Sequence, residues 1–135
     1  MTHVRAFAAG FVATLVFHQG LVLLLHGLGV LPVAPYDMTA TEPLGVPKVI
    51  SLAFWGGVWG IVLWRLVRAS RGARRWWLAL AIGAIGPTAV ALLIVFPLKG
   101  VAVSPAMIPI GLVLNGAWGV GTLLLVLGLR RAGRR

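Results

Sequence analysis

The chain has no cysteine and only two acidic residues, Asp37 and Glu42, in 135 positions. Without cysteine there is no disulfide, thiolate metal site, iron–sulfur cluster or cysteine nucleophile. Because both acids lie in one short stretch, hydrolysis by paired carboxylates and proton transport through a buried carboxylate lack their residues. The histidines form no zinc-binding motif, since His18 and His26 stand eight residues apart on one helix, too far to chelate one ion, so no metal ligand set is expected. Charged residues make up 10% of the chain, against about a quarter in a soluble domain. With 60% hydrophobic residues and a mean hydropathy of +1.01, a water-soluble fold is excluded.

Four long apolar runs remain, over residues 6–31, 49–67, 76–98 and 107–129. A hydrocarbon core of about 30 Å needs about 20 helical residues, and lipid offers no partner to an open backbone, so each run reads as a membrane-spanning helix. The expected fold is all-α, a single membrane domain over 1–135. The first run is over-long and should tilt, or fray at Gly27 and Gly29. It also far exceeds the apolar core of a signal peptide, and is read as a retained helix. Pro87 interrupts the third run and should kink it, with Thr88 at hand to satisfy a freed carbonyl.

All ten arginines fall on one side of these spans: Arg5, then Arg65 to Arg75, then Arg130 to Arg135, against Lys48 and Lys99 on the other. This excess places both termini and the Arg65–Arg75 connection in the cytoplasm of a bacterial inner membrane, where the arginines would attract anionic lipid. Their position at helix ends favours the lipid bilayer over nucleic acid as partner. Trp64, Trp76 and Trp77 are expected at the cytoplasmic interface and Tyr36 at the other. The connection from Pro32 to Pro47, with four prolines, should be extended and partly rigid.

An internal match suggests two tandem hairpins, about 1–68 and 75–135, arranged as a parallel repeat. A shift of 73 overlays Ala6, Gly10, Thr14 and His18 on Ala79, Gly83, Pro87 and Ala91, and His26–Pro32 on Lys99–Pro105. A shift of 59 overlays Gly57-Val58-Trp59-Gly60 on Gly116-Ala117-Trp118-Gly119. The small residues at i, i+4 spacing, including Gly56 and Gly60, mark faces for close helix approach, inside the bundle or in a homodimer.

Two polar residues break the symmetry, His18 opposite Ala91 and Asn115 opposite Gly56. Counted from the flanking arginines, His18, Thr88 and Asn115 lie at similar depth, about 20 Å from the cytoplasmic side, with Gln19 adjacent. They form a candidate intramembrane polar site, with Trp55, Trp59 and Trp118 as its expected lining. The alternative is that His18 and Asn115 simply hydrogen-bond between helices.

The stretches Phe17-His18-Gln19, Phe54–Gly60, Phe96–Gly100 and Asn115–Gly119 together resemble small four-helix inner-membrane proteins of proteobacteria, a likeness that implies the topology and brings no activity or cofactor with it. The expected role is non-enzymatic: packing or assembly, as a homo-oligomer or an accessory subunit of a larger complex. A small carrier or channel built on the His18 and Asn115 layer is the alternative. A further one is a protein whose His18 ligates a cofactor, or which holds a lipid or quinone.

Overall fold

In the computed structural model, which describes residues 2–135, the chain is 73% helical. Four helices, His3–Gly27, Lys48–Val67, Gly72–Leu98 and Met107–Ala132, are each long and apolar enough to cross a membrane. Their ends depart from the apolar runs because a helix is not obliged to stop where apolarity does. The third begins at Gly72 and the fourth continues to Ala132, since arginine is a good helix former and carries both past the apolar boundary.

The first helix, in turn, stops four residues short of Leu31. Gly29 adopts φ +75°, its N–H bonds to the His26 carbonyl and the Val30 N–H bonds to the Leu25 carbonyl. This is a Schellman cap, which glycine adopts without steric cost. The third helix ends identically, with Gly100 at φ +68° and bonds from Gly100 to Pro97 and from Val101 to Phe96. The structural equivalent of Gly100 is therefore Gly29; the sequence match of Gly27 with Gly100 is out of register by two.

Two π-helical turns interrupt the ladders, Thr14–His18 in the first helix and Ala91–Val95 in the third. Pro87 lies within regular α-helix, and the widened turn follows it by one turn.

The first helix packs most extensively on the second, and the third on the fourth, while the first also runs along the fourth. The close crossings are built on glycine. A Cβ on Gly60 would stand 2.6 Å from the Ala6 carbonyl and 2.9 Å from Gly10 Cα. A Cβ on Gly119 would stand 2.5 Å from the Ala79 carbonyl and 2.9 Å from Gly83 Cα. Contacts this close leave no room for any side chain, and they bring backbone against backbone. Ala6, Ala9, Ala13, Leu63, Val67, Ala79, Leu123 and Val126 fill the core around them.

The 32–47 connection is not a free extended loop. Leu31 turns back to pack, buried, with Val22 and Leu114. A two-residue antiparallel ladder, β1 Ala40–Thr41 with β2 Val46–Pro47, then leads into the second helix.

Candidate functional site

Of the expected polar layer, two residues meet directly. Asn115 Nδ2 donates to Thr88 Oγ1 at 2.9 Å, joining the fourth helix to the third. Thr88 is buried, and its methyl group faces Gly111, one helical turn before Asn115, so the pair is seated against the fourth helix. Thr88 Oγ1 acts as acceptor here, and among the described residues no bond from its hydroxyl to a carbonyl freed by Pro87 is formed.

His18 and Gln19 belong to a second cluster. Gln19 Nε2 lies 3.2 Å from His18 Nδ1, a contact in which the amide N–H donates to the imidazole tautomer protonated on Nε2. Gln19 Oε1 accepts the Tyr36 N–H at 2.8 Å, and the Tyr36 hydroxyl donates to the Leu15 carbonyl at 2.7 Å. Leu15 is twelve residues into the helix that starts at His3, roughly 18 Å along its axis. The Tyr36 hydroxyl therefore reaches the middle of the first helix, while the carbonyl of the next residue, Asp37, accepts from Val49 at the start of the second. Tyr36 holds a left-handed backbone, φ +53°, which is strained for an aromatic residue and is sustained by its two hydrogen bonds. Among the described residues no hydrogen bond joins the His18 cluster to the Thr88–Asn115 pair.

The three tryptophans expected to line the layer have different fates. Trp118 is buried, and its indole N–H donates to the Gly10 carbonyl at 3.1 Å. The same carbonyl accepts the Thr14 hydroxyl at 2.9 Å. Trp59 is half-buried and lies against Gly86 of the third helix. Trp55 does not line the interior: it is 58% exposed, on the outer face of the second helix, with its ring edge-on to Phe54.

The small residues singled out for packing all lie at helix crossings. Ala6, Gly10, Thr14 and Gly60 meet between the first and second helices, where the Thr14 hydroxyl occupies the space a side chain on Gly56 would need. Gly57 accommodates the Phe7 ring, and Gly83 meets Gly119. Both glycines of the Gly56-x-x-x-Gly60 motif are thereby used within the chain. Among the described residues, no buried side-chain polar atom lacks a hydrogen-bond partner.

At the arginine-rich end, Trp64 is buried with two guanidinium groups near its ring, Arg75 at 5.9 Å and Arg130 at 5.3 Å from the centroid, a cation–π anchor between helices. Arg75 also donates to the Ser70 and Arg68 carbonyls, which lie past the end of the second helix. This arrangement was invisible to segment-by-segment reading, although the run of tryptophan and arginine at 64–77 was its one signal. Two surface hollows lie at this end too. One of about 490 Å³ is lined by Trp76, Leu124, Leu127, Gly128 and Arg131 among others.

At the opposite end Asp37 accepts the Thr39 N–H at 2.9 Å and pairs with Lys48 at 3.5 Å. The hydrogen bonds from Thr39, and then Lys48, hold its carboxyl below the usual carboxylate range.

The arrangement fastens helices together. No three histidine or acidic side chains converge among the described residues. No known family, characterised protein or solved structure matches this chain.

Proposed function

We propose that this is a multi-pass protein of a bacterial inner membrane, with both termini and the Arg65–Arg75 connection in the cytoplasm. We propose further that it acts by packing, as a homo-oligomer or as an accessory subunit of a larger complex, and not by catalysis. One observation carries the reading: Trp118 ties the fourth helix to the first at Gly10, Asn115 ties it to the third at Thr88, and among the described residues no buried side-chain polar atom is left without a partner. Between its two polar ends, what the chain presents outward is largely apolar. The matched crossings at Gly10–Gly60 and Gly83–Gly119 support an origin in two tandem hairpins, related by an axis along the membrane normal.

The absence of cysteine makes the topology directly testable. A Thr39→Cys variant should react with a membrane-impermeant maleimide from outside spheroplasts, and an Ala69→Cys variant only after lysis; the reverse pattern overturns the orientation. Native mass spectrometry in mild detergent tests assembly. A defined oligomer or a bound partner subunit supports the reading, and a bare 14.3 kDa monomer sinks it.

A second reading, a small carrier, draws on the connection that reaches His18 and Gln19 through Tyr36. It requires pH-dependent flux in liposomes that a folded His18→Ala variant loses.

A further inference from the structure

We infer that the groove between the third and fourth helices at the arginine-rich end binds one anionic phospholipid, its phosphate on Arg131 and Arg134 and an acyl chain along Leu124 and Gly128. The inference rests on the membrane reading above and gives the attraction of anionic lipid a defined site.

The groove has the anatomy that such a lipid requires. Leu124, Gly128 and Arg131 follow at i, i+4 and i+7 on one face of the fourth helix, so an apolar floor ends in a guanidinium. Trp76 of the third helix forms the facing wall. The hollow is about 490 Å³, within the ~300–1,000 Å³ that holds a small apolar ligand, and it is open on the molecular surface. Gly128 is what keeps the floor low: a Cβ there would meet nothing within 4 Å. A second hollow, of about 200 Å³, adjoins the first at Leu127 and Arg131 and is lined by Arg130 and Arg134.

Charge selects the headgroup. Arg130 is engaged over Trp64, whereas Arg131 and Arg134 are exposed. Both acidic residues belong to the connection at the other end of the molecule, where Asp37 and Lys48 make the one ion pair among the described residues. Two exposed guanidinium groups that make no ion pair among the described residues match a phosphate diester, which they can bind through paired N–H donors. The apolar floor below them selects a lipid over a soluble polyanion.

Native mass spectrometry of the full chain in neutral detergent tests this, with phosphatidylglycerol or phosphatidylcholine of the same chains added. The expected result is one retained phosphatidylglycerol in preference to phosphatidylcholine. The double variant R131Q/R134Q should lower its retention about 30-fold, from the loss of two arginines near the headgroup. Gly128→Leu, which fills the groove without touching the bundle, should lower it as well. R71Q/R74Q removes the same charge from the start of the third helix and the residue before it, and should leave retention nearly unchanged.

Undiminished retention in the folded Gly128→Leu and R131Q/R134Q proteins overturns the site, as does an equal fall in R71Q/R74Q, which would mean net charge alone. If Gly128→Leu does not fold, the two arginine pairs decide. Inorganic phosphate that displaces the lipid and is itself retained through Arg131 and Arg134 overturns the lipid assignment. Failure of the membrane reading is a separate result: wild-type protein that floats with neither liposome composition, or maleimide labelling with the opposite sidedness.

Discussion

At the residue scale the Gly10 carbonyl is the point where three helices are tied. It accepts from Thr14 on its own helix and from Trp118 on the fourth, and Gly10 itself lies on Gly60 of the second. Trp118→Phe keeps most of the ring and removes the donor, so it should cost about 0.5–1.5 kcal/mol in unfolding free energy measured in micelles. For Thr88 and Asn115, a double-mutant cycle with Thr88→Val and Asn115→Leu should give a coupling of about 0.6–2 kcal/mol. This pair was legible because two polar residues at equal depth on neighbouring helices have few other partners. The partner of Gln19 was not: Tyr36 belongs to a connection, and helical spacing says nothing about where a connection folds. Asp37 adds a pH dependence to that connection. Its carboxyl is held below the ordinary value of about 3.9, so its bonds to Thr39 and Lys48 are complete above that pH and are lost as pH falls through the lower folded value. The protection of the Thr39 amide against hydrogen exchange, relative to its intrinsic rate at each pH, should fall over that acid range and be absent at all pH values in Asp37→Ala.

At the scale of elements, helix existence followed from the apolar runs, while helix ends followed from local backbone chemistry. Gly27 and Gly29 look alike in sequence, yet only Gly29 has positive φ. Their alanine variants should therefore change stability in opposite directions. Gly29→Ala forces a Cβ into the left-handed region and should cost about 1–2 kcal/mol. Gly27→Ala, in helix with open space around it, should stabilise by up to about 1 kcal/mol. Thermal unfolding of the two variants in one detergent distinguishes them. The π turns and the return of Leu31 onto Val22 and Leu114 left no mark on the periodicity, because both depend on partners distant in the chain.

At the scale of the molecule, the packing depends on which glycines meet backbone. Gly60 and Gly20 are both helical, but a side chain at Gly60 would strike Ala6 and Gly10 whereas one at Gly20 meets nothing within 4 Å. Gly60→Leu should separate the first two helices, lowering stability by more than the ~1–3 kcal/mol of ordinary overpacking, since backbone cannot yield as a side chain can. Gly20→Leu should leave the fold intact. Near-ultraviolet circular dichroism reads both, because Trp118 and Trp59 lie at the affected interfaces. The same distinction separates Gly128, open to the arginine-end groove, from Gly119, closed in the bundle.

The order of apolar residues along the chain is enough to require four apolar helices, because hydropathy and run length are properties of local sequence that no tertiary contact can alter. The gathering of ten arginines at one end is likewise a consequence of where they fall between those runs. Pairing is different in kind. That Gly56 and Gly60 are spent inside the chain, that Trp55 faces outward while Trp118 is buried, and that Trp64 sits near both Arg75 and Arg130 all depend on helix rotation and neighbour choice. Those are decided by steric fit between segments far apart in sequence, which only the folded arrangement contains.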